Sequence, residues 1–200
     1  MLSNSFASFY YVISLRKPMS RSLLVLGLLS AFIFGCGTRS IAIYEAKTPS
    51  FNLESFFNGK VDGWGIVLNR NNDVVRRFKV NVEGYFTADK SSGKLVEKFF
   101  WSDGKRERRV WDLKKTGDNE WRGTSNGVIG TAHGVASGNA LRWSYRYNLI
   151  LEDSFLNKLS VDFDDWMFLV ENNVLMNRAV FSKFGLKLGT VIITFKKSNG

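Results

Sequence analysis

Three acids, two arginines, one thiol and one imidazole are where this chain could do chemistry. Asp162, Asp164 and Asp165 crowd into four positions, and Arg76 and Arg178 each interrupt an otherwise apolar alternation. Cys36 and His133 are the single cysteine and single histidine of 200 residues. Transition metals take several nitrogen or sulfur ligands, so one imidazole cannot build such a site, and neither metal nor cofactor is expected. His133 has Ser125 and Ser137 nearby in sequence but no nucleophile elbow, and it reads as a partly exposed strand histidine. Without a set of nucleophile, base and orienting group, no catalytic residue is assigned and the chain reads as a non-enzyme.

Cys36 ends an apolar run that begins at Leu23. From Met19 the segment has a basic start, Arg21, and about a dozen apolar residues, the parts of a secretory signal. It falls short of the roughly 20 apolar residues that a bilayer-spanning helix needs. Ile33-Phe34-Gly35-Cys36 resembles a bacterial lipobox, whose cysteine is acylated and becomes the new N-terminus. An acylated cysteine leaves no reactive thiol, whereas an ordinary signal peptide followed by a chance cysteine would. Residues 1–35 are thus expected to be a signal peptide, residues 36–49 a lipidated tether and residues 50–197 one domain. Tyr10 to Lys17 interposes a second weak apolar stretch, so Met19 is the expected true start, a long N-terminal region being the alternative. Gly37 stands where an aspartate would resemble an inner-membrane retention signal, which points to the outer membrane and a periplasm-facing domain.

The chain has 28 basic and 18 acidic side chains. Residues 1–35 hold three of the basic ones (Arg16, Lys17, Arg21) and no acid, so 25 cations and 18 anions remain, a net +7. Such a surface suits anionic lipid headgroups, at about 1 kcal/mol per Lys or Arg near the membrane. Nucleic acid is not an expected partner, because no recognition helix or zinc-ligand spacing is visible.

The elements that must position this chemistry are strands. Ser50 to Phe57 reads as one short helix, with Ser50 as N-cap and Gly59 as its stop. From Lys60 onward the apolar period is two, as in Val74, Phe78, Val80 and Val82 against Arg77, Lys79, Asn81 and Glu83. Turn sequences such as Ser102-Asp103-Gly104, Gly138-Asn139 and Asn172-Asn173 separate the runs. Gly123, Gly127, Gly130, Gly134 and Gly138 would let strands coil sharply or another backbone approach. Neighbouring strands are too close in sequence for parallel crossovers. The predicted fold is all-β, an antiparallel up-and-down β-barrel of about 8–10 strands, lipocalin-like, with a short N-terminal helix. A two-sheet β-sandwich is the alternative.

Adjacent strand residues face opposite ways, so Asp164 and Asp165 do not converge. With Asn172-Asn173 as a two-residue loop, Glu171 faces Val174, Met167 faces Arg178 and Asp165 faces Val180. One wall then holds Leu159, Val161, Phe163, Asp165, Met167 and Leu169 beside Met176, Arg178 and Val180. A buried charge needs a partner, so an internal Asp165–Arg178 pair is expected. Arg76 shares a face with Val74, Phe78, Val80 and Val82, and as a second inward arginine it would suit a carboxylate or phosphate head. Alternatively Arg76 sits at the rim in water and the pair only fixes the fold. Trp143, Tyr145, Tyr147, Phe163 and Met167 would line a cavity or fill a core, two arrangements with the same sequence pattern.

Four motifs occur in order: Phe57-Asn58-Gly59-Lys60-Val61 with Trp64-Gly65; Val74-Val75-Arg76-Arg77-Phe78; Phe163-Asp164-Asp165-Trp166-Met167; and Asn177-Arg178-Ala179 with Ser182-Lys183-Phe184-Gly185. Together they resemble the bacterial lipoproteins grouped as domain of unknown function 3833, over Phe51 to Lys197. The resemblance implies a lipid-anchored envelope protein and supplies no activity. Likeness to lipocalins is architectural only, since Asp62 stands where they place a glycine two before the first-strand tryptophan. The leading functional expectation is non-catalytic binding or transport of an amphipathic ligand, such as a fatty acid or phospholipid, by a protein held to the membrane through Cys36. An envelope scaffold with a filled barrel and an exposed apolar patch is the second. A lipid- or glycan-acting enzyme is the third.

Overall fold

The computed structural model describes residues 40–150 and 158–198. Cys36, Met19 and the expected signal segment lie outside the described residues.

Ten strands run antiparallel in chain order: β1 (Gly59–Asn69), β2 (Val74–Phe86), β3 (Ser92–Trp101), β4 (Arg106–Gly117), β5 (Glu120–Ser125), β6 (Val128–Ser137), β7 (Ala140–Ile150), β8 (Lys158–Glu171), β9 (Val174–Lys183) and β10 (Leu186–Lys197). The meander closes because β1 also pairs with β10, from Val61 opposite Lys197 to Asn69 opposite Gly189. The fold is therefore a lipocalin-like closed barrel rather than a sandwich, and the closed ladder leaves no unpaired edge.

One end of the barrel is plugged. The helix α1 (Leu53–Phe57) tucks Leu53, Phe56 and Phe57 under the strands, with the Phe57 and Phe195 rings 5.7 Å apart and edge-on. Its N-cap is Asn52, whose Oδ1 accepts from the Ser55 N–H at 2.8 Å, and not Ser50. The physical reason lies one residue earlier: the Phe51 N–H donates to the Gly138 carbonyl at 2.7 Å, which straps the chain to the β6–β7 turn and delays the helix. Glu54 is buried in this plug, held by the Asn52 amide at 2.9 Å and by Lys115 at 3.7 Å. Ahead of the strap, a 3-10 turn at Ile41–Tyr44 lays the Tyr44 ring on the outer wall against Trp166 and Phe168.

The β5 and β6 glycines make room for side chains rather than only for bending. A Cβ at Gly134 would stand 2.3 Å from Trp143 Cε3, and one at Gly123 would stand 2.7 Å from Trp143 Cζ2. Trp143 thus crosses the interior over bare backbone. His133, between them in sequence, is exposed.

The plug depends on a similar close approach, because a Cβ at Gly84 would lie 1.9 Å from the Phe57 carbonyl oxygen. Gly84→Ala should therefore cost about 2 kcal/mol of unfolding free energy in urea by displacing α1. Gly117→Ala, where the nearest atom is 3.4 Å away, should stay within about 0.5 kcal/mol. Equal costs for the two variants would show that α1 is not held by this contact.

Candidate ligand cavity

Above the plug, the inward residues of the strands enclose a cavity of about 940 Å³ that reaches toward the opposite end of the barrel. Its wall is aromatic. Trp111 meets Trp143 and Tyr145 edge-on at 5.7 and 5.4 Å, Tyr145 stacks flat on Phe163 at 5.0 Å, and Phe163 stacks on Phe181 at 5.5 Å. Phe78, Phe99 and Trp101 continue the belt across β2 and β3. Trp143, Tyr145, Tyr147, Phe163 and Met167 all lie on this wall.

Asp165 also faces inward and is buried, but Arg178 does not join it. Glu171 does face Val174 across the Asn172-Asn173 turn. Val170 is then an extra residue on β8: the register moves so that Leu169 faces Leu175, Asp165 faces Ala179 and Trp166 faces Arg178. One bulged residue turns all of β9 over, because strand side chains alternate faces. The expected internal Asp165–Arg178 pair is thereby corrected: Arg178 is on the exposed outer wall, and Leu175, Asn177 and Ala179 take the inner one. Asp162 and Asp164 face outward to Arg146 and Arg142 at 2.8 and 2.6 Å.

Arg76 lies at the mouth. Its Nη2 donates to Asp103 at 2.7 Å, its guanidinium lies 3.9 Å from the Trp101 ring centre, and its Nε is buried without a partner. It is neutralised at the rim, so the expected excess of positive charge in the interior does not arise.

The inward base is Arg109 on β4. Its guanidinium sits between the Phe99 and Tyr147 rings, 5.1 and 5.0 Å from their centres, while Nη2 donates to Glu107 at 2.8 Å. Glu97 faces Arg109 across the β3–β4 ladder. Burial disfavours the Arg109 charge, yet Glu97, the two tyrosines and Glu107 outweigh it and hold the group more firmly protonated than usual. Burial also raises the Glu97 acid above its ordinary range, against the pull of Arg109 and a hydrogen bond from Trp111. Asp165 is pushed up to about 8, by burial first, then by Asp164 and Glu97, with Arg109 and a Tyr145 hydrogen bond opposing.

Three polar atoms of this belt are buried without protein partners: Glu97 Oε2, Arg109 Nε and Asp165 Oδ1. Buried polar atoms are ordinarily hydrogen-bonded, and these three belong to residues that line a cavity with room for water or a ligand. The belt offers an entering group one guanidinium donor and two carboxyl groups, of which Asp165 stays protonated to about 8. Period-two reading could have found both missed residues, since Glu97 shares a face with Leu95 and Phe99, and Arg109 shares one with Trp111 and Leu113.

A family model, Protein of unknown function (DUF3833), matches residues 30–197. No curated protein matches the sequence. Among solved structures the chain is similar to an S-type phycobiliprotein lyase from Guillardia theta, with TM-score 0.53 and 9% identity over 75% of this chain and 94% of that one. It is also similar to a protein of unknown function from the DUF3598 family of Nostoc punctiforme, with TM-score 0.51 and 8% identity, covering 76% of this chain and 51% of that one. At such identities the likeness is one of fold.

In the unfolded chain Asp165 would ionise near 3.8, and in the barrel near 8. Between those values the folded state binds the extra proton, so the neutral acid's stability contribution is full below about pH 4 and is lost as pH rises through 8. Asp165→Asn does not titrate there. Relative to wild type it should gain at least about 1 kcal/mol in unfolding free energy between about pH 4 and pH 8.5. A difference that does not change with pH would rule out the buried neutral acid.

Proposed function

We propose that this chain, which belongs to the DUF3833 family of proteins of unknown function, is a non-catalytic binder or carrier of a single amphipathic lipid whose polar head is zwitterionic. The supporting observation is the trio of unpartnered atoms, Glu97 Oε2, Arg109 Nε and Asp165 Oδ1, within an aromatic cavity of about 940 Å³. That volume is in the upper part of the range of small-molecule sites.

The head chemistry follows from the one cation and the carboxyl groups of the belt. One arginine already faces Glu97 and Glu107, and Asp165 adds a carboxyl group that stays neutral below about 8. A fatty carboxylate placed there would compete with Glu97 and Glu107 for that one guanidinium. An ammonium group would instead satisfy Glu97 and Asp165, while an attached phosphate accepts from Arg109. An ethanolamine phospholipid has both groups on one head, and its acyl chain would lie along the Trp111, Trp143 and Phe163 surfaces. Similarity to a phycobiliprotein lyase is compatible with a barrel of this kind taking a ligand. In this reading Cys36 is acylated and the barrel stands in the periplasm on the outer membrane.

Native mass spectrometry with lysophosphatidylethanolamine and oleate as probes tests the proposal. One lysophosphatidylethanolamine should bind and keep its mass, with oleate weaker by tenfold or more. Glu97→Gln should weaken the phospholipid by roughly 10- to 100-fold, the loss of a charged hydrogen bond, with thermal melting as the check on folding. Equal binding of oleate would overturn the zwitterionic head, no binding would overturn the carrier, and a mass change in the probe would overturn the non-catalytic reading.

A further inference from the structure

The strand directions sort the hairpins into two sets. Those at 87–91, 118–119, 138–139 and 172–173 lie at the plugged end, and those at 70–73, 102–105, 126–127 and 184–185 ring the mouth. The three most exposed large apolar side chains among the described residues are all at the mouth: Phe184 at 88%, Ile150 at 75% and Leu186 at 72%. Val74 and Val75, each 53% exposed, extend the same rim onto β2. Register brings the 70–73 and 184–185 hairpins together, with Asn69 opposite Gly189 across β1 and β10, and Lys187 Nζ donating to Asn72 at 3.3 Å between them.

Basic side chains alternate with the apolar ones. Arg70, Arg106, Lys158 and Lys187 are exposed at this end, with Lys183 half-buried beside them. Two of the cations lie over rings, Lys183 at 4.8 Å from the Phe184 centre and Arg106 at 4.9 Å from that of Phe100. Among the described hairpins here, Asp73 is engaged by the Asn69 amide and Asp103 by Arg76. An apolar tip with a cation folded beside it matches the layering of a membrane interface, where rings enter the acyl boundary and cations stay among the phosphates.

We propose that the barrel docks mouth-first on an anionic lipid bilayer, with the Phe184–Leu186 hairpin, Ile150 and Val74–Val75 entering the interface and the surrounding Arg and Lys side chains binding the headgroups. The docking rests on the lipid-binding reading for its purpose, since it gives the cargo a route between bilayer and cavity that does not cross water. Its chemistry stands on the rim alone.

Cys36 is the only cysteine, so Cys36→Ser in the full chain leaves a background for one environment-sensitive dye. The dye is placed at Phe184→Cys on the mouth or at Asp118→Cys on the plugged end, and vesicles of phosphatidylglycerol or phosphatidylcholine are added. The dye at 184 should shift to the blue and be quenched by lipid-borne quenchers with phosphatidylglycerol, at least about tenfold more tightly than with phosphatidylcholine, and high salt should weaken the response. The dye at 118 should not respond. No response at 184, an equal response at 118 or indifference to lipid charge would each overturn the docking. A retained lipid in native mass spectrometry together with a silent label at 184 would sink the docking and leave the proposed function standing.

Discussion

A ladder that closes on itself sends each strand side chain either inward or outward, and the rest of this molecule follows from that division. Ten strands without an edge hold the sorting rigidly, because one strand cannot slip without breaking pairs on both sides. β8 shows how fine the sorting is. Asp162 and Asp164 fall outside, where Arg146 and Arg142 meet them in partial water, while Asp165, one residue on, falls inside. On its other flank the single extra residue Val170 decides that Arg178 does not follow.

Excluding Arg178 leaves the interior short of positive charge, and the surrounding groups adjust to it. Arg109 is held between two rings with acids on both sides, an environment that keeps its proton on. Asp165 goes the opposite way: burial above all, with Asp164 and Glu97 beside it, keeps it protonated to about 8. A carboxyl group kept neutral is a hydrogen-bond donor as well as an acceptor, so the belt presents a mixed polar face rather than a field of one sign. The aromatic wall around it lowers the local dielectric and makes each unfilled hydrogen bond more costly.

Much of the fold was legible in the sequence because alternation and turn chemistry are local. The Asn172-Asn173 turn and the period-two runs point to an antiparallel meander, a barrel ahead of a two-sheet sandwich, and the β1–β10 pairing closes it. Local signals also placed Trp143, Tyr145 and Tyr147 on one face of β7, which the structure shows as cavity wall. The internal ion pair was not legible, since a bulge such as Val170 has no glycine, proline or asparagine to mark it and arises from packing across β8 and β9. The N-cap moved from Ser50 to Asn52 for a similar reason: the competing bond from Phe51 to Gly138 comes from distant chain. The Glu97–Arg109 pairing lay within reach of the same periodicity that singled out Asp165, but recognising it required knowing that β3 and β4 are in register.

The plug made by α1 has a kinetic meaning. With Leu53 and Phe57 across one end, the barrel is a cul-de-sac and not a conduit. Whatever enters must leave by reversing its path, and a second molecule cannot push the first one through. Net transfer in one direction would then be set by the difference in chemical potential between the places the mouth visits, and its pace by how often the protein turns from one to the other.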